Sequence, residues 1–245
     1  MAKNFIRNLT GKKRDKKTDT QLGVALAFIA GAINAGGFLA VGYYTSHMSG
    51  IVSSIADYIV IDKFDYAFSA ALFLLSFISG ATTSCVIINF AREKEPTSEF
   101  ALALMLESIL LIIFGLSAAN YLGSFELSLN ITISLLCFIM GLQNAIITKI
   151  SDSRIRTTHV TGISTDIGIE MGRYLYSHIC GGRIAFHPER LKLHLMLLFS
   201  FLTGGIIGAF SFKYIGFITT LPLAFILAIL ASVPIFDDFM ARNNQ

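Results

Sequence analysis

The chain is short of charge. Asp, Glu, Lys and Arg make up 14% of its 245 residues, while 54% are hydrophobic. An average soluble domain carries about 25% charged residues. A soluble surface of this size cannot be built around so large an apolar fraction. Soluble enzymes, disordered chains and disulfide scaffolds are thereby set aside, and the composition points to an integral membrane protein. Cysteine is scarce as well: Cys85, Cys137 and Cys180 are widely spaced and form no CxxC. An odd count without a motif argues against a disulfide framework or a zinc site. Cys85 and Cys137 lie in apolar runs, where Cys acts as a small hydrophobe. Also missing are HExxH, GxSxG, the P-loop and GxGxxG. Gly181-Gly182-Arg183 follows no strand and reads as a loop. No cofactor and no metal are expected. An intramembrane enzyme stays open only because triads are spatial rather than sequential.

What is present is long apolar segments. About 20 mostly apolar residues cross a bilayer as a helix. Six stretches qualify: Leu22–Gly42, Tyr66–Phe90, Phe100–Ala119, Leu127–Lys149, Leu191–Phe212 and Tyr214–Val233. They are continuously apolar rather than alternating, which predicts helices and not a barrel. The first is too long for the h-region of a signal peptide, typically about 7–15 residues. Tyr43–Asp65 and Ile150–Arg190 are too polar to span. Each holds a short amphipathic stretch, Ile51–Ile61 and Ile163–Tyr176.

Basic residues are unevenly placed. Seven of the nineteen Lys and Arg precede residue 18: Lys3, Arg7, Lys12, Lys13, Arg14, Lys16 and Lys17. A basic arm can read as nucleic-acid binding, but an apolar span follows at once, so an inside anchor fits better. With the N-terminus inside, Arg92 and Lys94, the seven from Lys149 to Lys192, and Arg242 also fall inside; only Lys63 and Lys213 fall outside. The positive-inside rule then places both termini in the cytoplasm. The expected location is the plasma (bacterial inner) membrane.

The chain also repeats itself. Gly31-Ala-Ile-Asn34-Ala35 followed by Thr45-Ser46-His47-Met48-Ser49-Gly50-Ile51 is answered by Gly141-Leu-Gln-Asn144-Ala145 and Thr157-Thr158-His159-Val160-Thr161-Gly162-Ile163. Downstream, Ser76-Phe77-Ile78-Ser79-Gly80-Ala81 is answered by Ser200-Phe201-Leu202-Thr203-Gly204-Gly205. Three spans per unit invert the second unit relative to the first. The expected fold is an all-α membrane protein of six transmembrane helices in two inverted three-helix repeats, with short amphipathic helices after spans one and four. Its parts are a basic arm (1–21), repeats over 22–119 and 120–235, and a tail (236–245). Many transporters use such repeats, with a site near the midplane; some channels share the symmetry.

The T-x-H-x-[ST]-G segment, and Arg156 to Gly162 with Thr165-Asp166-Ile167-Gly168, resemble the YoaK-like family of bacterial six-span membrane proteins, which carry a domain of unknown function. The resemblance covers about residues 20–235. It implies topology and location, and no substrate.

Several residues carry chemistry at these positions. Asn34 and Asn144 fall within spans, where an amide needs a partner; they hold neighbouring helices together or line a central site. The glycines of the first span pack helices closely or break the helix. In the THxSG blocks, Ser49 or Thr161 suits a helix cap. His47 and His159 suit substrate binding or proton shuttling, and the alternative is a symmetric structural turn. Thr45 and Thr157 complete the proposed solute contacts. Glu107, an intramembrane carboxylate, is a candidate for proton coupling; hydrogen bonding to a neighbouring helix is the alternative. Asp166 and Glu170 suit local capping and ion pairs, and Asp166 is placed to orient Arg154 or Arg156. His194 reads as interfacial. The leading functional expectation is a secondary transporter of a small polar or anionic solute. The alternatives are a passive channel, a scaffold or an intramembrane enzyme. The expected partners are the lipid bilayer and a small solute, with no nucleic acid; a homo-oligomer is compatible with the sequence.

Overall fold

A computed structural model describes residues 15–94, 98–118, 125–179, 181 and 184–243. The basic residues Lys3, Arg7, Lys12, Lys13 and Arg14, with Cys180, Gly182, Arg183 and the side chain of Arg242, lie outside the described residues. Helix α1 runs Lys16–Val41, six residues earlier than the apolar run suggests. The Asp15 side chain caps it, accepting from the Thr18 N–H at 2.7 Å. The chain leaves α1 through Gly42, whose φ of 75° and N–H bond to the Phe38 carbonyl make a left-handed stop. Then follow α2 (Met48–Val60), α3 (Phe64–Glu93), α4 (Ala101–Ala118), α5 (Phe125–Ile150), α6 (Val160–Ile179), α7 (Pro188–Ile215) and α8 (Thr220–Asn243). A 3-10 turn, Gly216–Thr219, separates the last two. Every described element is helical.

By length and composition, four stretches are apolar enough to cross a membrane: Lys16–Val41, Phe64–Glu93, Leu129–Ile150 and the 53-residue run Pro188–Met240. At about 1.5 Å per residue, that last run is far longer than one hydrocarbon core, and Gly216 bends it at a φ of 63°. Large apolar side chains face outward along these helices, Phe68 at 67% and Phe225 at 65% exposure among them. Water would not tolerate that surface, and lipid does. The protein is a multi-pass membrane protein.

Helix pairs are locked by glycine. A Cβ at Gly31 of α1 would run into the Phe201 carbonyl of α7, and one at Gly204 of α7 into the Phe28 carbonyl of α1. A Cβ at Gly141 of α5 would run into the Phe77 carbonyl of α3, and one at Gly80 of α3 into the Phe138 carbonyl of α5. Only residues without a side chain allow backbones this close. Ser200 Oγ donates to the Val24 carbonyl at 2.7 Å, and the Phe212 ring fills the space beside Gly36, so α1 and α7 run parallel. Asn130 Nδ2 meets Ser69 Oγ at one end of α3 and α5, and Lys149 Nζ meets Asn89 Oδ1 at the other, so these two are also parallel. Helices α4 and α8 are antiparallel, tied by Ser98 N–H to Asp238, by Ser108 Oγ to the Ala224 carbonyl, and by Thr220 Oγ1 to the Leu111 carbonyl.

Helix α5 packs against α1 in the opposite sense, with Leu136 beside Gly37 and Ile147 beside Gly23. Buried Leu22, Leu26, Ile29 and Ile33 of α1 meet Leu136, Ile139 and Ile146 of α5 in one core. These directions sort the charges. Lys16, Arg92, Lys149, Arg154 and Lys192 gather at one end of the bundle, and Lys63 and Lys213 at the other.

Candidate functional site

The THxSG blocks follow the C-termini of α1 and α5. The Asn34 carbonyl oxygen accepts from the Ser46 N–H at 3.1 Å and from Ser46 Oγ at 2.9 Å. The Asn144 oxygen accepts from Thr158 Oγ1 at 2.7 Å, and its amide donates to the Met140 carbonyl at 2.9 Å. Each amide is therefore spent on folding its own loop back over its own helix. Thr45 and Thr157 are fully buried, and neither hydroxyl finds a partner among the described residues. His47 and His159 each stand directly before the next helix, and their rings lie where a Cβ of Gly50 or Gly162 would be. The glycine of the motif makes room for the imidazole.

The capping expected of Ser49 and Thr161 is not what the structure shows. Helix α2 begins at Met48 with His47 in the capping position and no side-chain cap bond. Helix α6 begins at Val160. Both hydroxyls thus fall inside the first turn, one or two residues too late to cap.

Because α1 and α5 are antiparallel, their C-terminal loops lie at opposite ends. His47, Thr45 and Ser49 are at one end; His159, Thr157 and Thr161 are at the other. The two histidines cannot share an ion or a solute. Asn34 and Asn144 sit one turn from Gly31 and Gly141 in opposite directions, roughly 9 Å apart along the bundle by helical rise.

The loop after α5 opens on a cavity of about 540 Å³ lined by Ser153, Arg154, Arg156, His159, Thr161, Gly162, Ile163, Thr165, Asp166, His194 and Leu197. Arg156 meets the His159 ring, NH1 to Nδ1 at 3.3 Å. Arg154 pairs instead with Asp19, at 3.5 Å, and donates to the Lys16 carbonyl. Asp166 does not orient either arginine as expected: its carboxylate lies 3.7 Å from His194 Nε2. The carboxylate still lines the same cavity as Arg154 and Arg156. Arg156 makes no ion pair among the described residues. An exposed guanidinium, two histidines and two threonine hydroxyls around one space suit a small anion.

Glu170 is buried on α6, where Arg173 NH1 reaches it at 2.7 Å and the His187 backbone N–H at 3.0 Å. The His187 N–H, and then the Arg173 charge, hold its carboxyl below the usual range. This clasp fixes the segment leading into α7, and so the place of His194.

Glu107 is fully buried in α4. Gln143 of α5 is buried as well, and neither its amide nor the Glu107 carboxylate has a hydrogen-bond partner among the described residues. Gln143 lies two residues from Gly141 on α5. Sequence reasoning passed over Gln143, although it stands beside Asn144 in an apolar helix. It also gave His194 only an interfacial role, since nothing in local spacing announces a partner on α6.

No curated protein and no solved structure matches the chain. The family described as "Protein of unknown function (DUF1275)" matches residues 22–233. That span takes in every helix from α1 to the middle of α8, both THxSG blocks and the cavity between the second of them and α7, and it agrees with the resemblance that the motifs suggested: the chain belongs to this family.

Proposed function

We propose that the protein is a transporter of small anionic solutes, built from two inverted three-helix repeats. Its six spans would be the four long stretches, with the last divided at Gly216, and the shorter α4. The repeat reading is supported by contacts that exchange partners: Gly31 against Phe201 corresponds to Gly141 against Phe77, and Gly204 against Phe28 to Gly80 against Phe138. The bonds of Asn34 to Ser46 and Asn144 to Thr158 correspond likewise. The cation-rich end faces the cytoplasm and carries both termini, in the plasma (bacterial inner) membrane.

The observation that carries the substrate class is the cavity at that end, where Arg156 faces His159, Thr161, Thr165 and His194. The repeat places Gly42 and Tyr44 where the second unit has Arg154 and Arg156, so the cationic lining belongs to one side. In this reading Arg156, His159 and Thr161 hold the solute from inside, with Asp166 steadying His194. Thr45, His47 and Ser49 form the counterpart on the far side. Asn34 and Asn144 set the loops, Thr157 backs the inner one, and Glu107 couples transport to a proton. Alternating access would rock one repeat against the other.

Purified protein tests the site by thermal shift against a panel of small carboxylates, phosphate, sulfate and neutral amides. A ligand at 100 times its Kd stabilises by about 2.7 kcal/mol. At least one anion is expected to raise Tm, the neutral amides to do nothing, and Arg156→Gln to remove the effect. No shift with any anion, or one that survives Arg156→Gln, would overturn the assignment.

A further inference from the structure

A second cavity lies on the outer face of the bundle, between α1 and the start of α7. It measures about 490 Å³ and is apolar, with Val24 from α1, Phe186 from the preceding segment, and Leu191, Met196 and Phe199 from α7; Lys192 is its one charged residue. We propose that this groove holds an acyl chain of an anionic phospholipid, with Lys192 binding the headgroup phosphate. The inference rests on the chain spanning a bilayer, and not on transport.

Four observations point to that occupant. The groove is of ligand size. The Val24 carbonyl on its floor is already taken by Ser200 Oγ, and the rest of its lining apart from Lys192 is apolar side chain, which suits hydrocarbon better than a polar solute. Its mouth is left uncovered, with Met196 at 38% and Phe199 at 59% exposure. Lys192 makes no ion pair among the described residues, and it belongs to the cation-rich end of the bundle, where Arg190 stands beside it. Glu189, one turn earlier on α7, is the nearest opposing charge in sequence and forms no ion pair with it. An ammonium beside an apolar slot at the depth of the headgroups favours an anionic lipid over a zwitterionic one, whose own ammonium offsets the phosphate charge. Phe186 also stacks edge-on against Tyr174 of α6, so a lipid in the groove would touch the segment that the Glu170 clasp holds.

The chain contains no tryptophan. Phe199→Trp therefore sets a single fluorophore at the groove mouth. In vesicles of otherwise unlabelled phosphatidylcholine, brominated phosphatidylglycerol is expected to quench it several-fold more than brominated phosphatidylcholine at equal mole fraction. Lys192→Gln in the same background is expected to erase the difference. A control reporter at Phe225→Trp, exposed on α8, is expected to show no such preference. Equal quenching by the two lipids, or a preference that survives Lys192→Gln, would overturn the proposal. If Phe199→Trp fails to fold, native mass spectrometry of the unsubstituted protein takes its place. Retained phosphatidylglycerol that is lost in Lys192→Gln supports the site, and equal retention in both defeats it.

Discussion

Gly31 and Gly37 lie two turns apart on one helix and have opposite demands on them. A methyl group at Gly31 would strike the Phe201 carbonyl and come within 3.0 Å of the Gly205 nitrogen. Both are backbone atoms and cannot swing aside. Gly31→Ala is expected to destabilise by about 1–3 kcal/mol, as overpacking does. At Gly37 the nearest atoms would be Leu136 Cδ1 at 3.5 Å and Thr45 at 4.0 Å, which is ordinary contact. Gly37→Ala is expected to stabilise by up to about 1 kcal/mol, the helix preference of Ala over Gly. Denaturation of the two variants in detergent micelles measures both signs, and equal effects would contradict the glycine-crossing account. The composition of the first span made a packing role legible. Which of its glycines touch another backbone depends on α7, some 170 residues later, and was not. Asn34 and Asn144 make the same point. Their pairing was visible in the repeat, but their spending on Ser46 and Thr158 depends on the chain reversing after each helix.

At the scale of elements, α6 and the start of α7 form a unit around Glu170. The carboxyl is held low by the His187 N–H and then by Arg173. A depressed folded pKa gives stability that is present above the unfolded pKa and is lost as pH falls through the folded one. The Tm of the protein is therefore expected to exceed that of Glu170→Gln at neutral pH. The gap is expected to close once pH drops below the ordinary carboxylate range. A gap that is constant across that range would contradict the clasp. Helix existence was well read here: apolar periodicity located α2 and α6 to within a few residues, since an apolar face must recur each turn. Their beginnings were not, because a histidine rather than a hydroxyl precedes α2. The clasp and the Asp166–His194 contact join residues separated by loops, where spacing carries no signal.

At the scale of the molecule, three helix pairs carry the architecture: α1 with α7, α3 with α5, and α4 with α8. Each joins a helix from the first half of the chain to a helix from the second, so neither half has a separate core. The family membership fixes no activity, and the substrate class rests on the cationic cavity at one end. Flux through proteoliposomes tests that claim most directly, with labelled small carboxylates and phosphate offered against the same anion inside. The account predicts saturable, trans-stimulated uptake of at least one anion. That uptake should be lost in Arg156→Gln and become insensitive to a proton gradient in Glu107→Gln. Flux that rises linearly with concentration, or uptake untouched by Arg156→Gln, would contradict it.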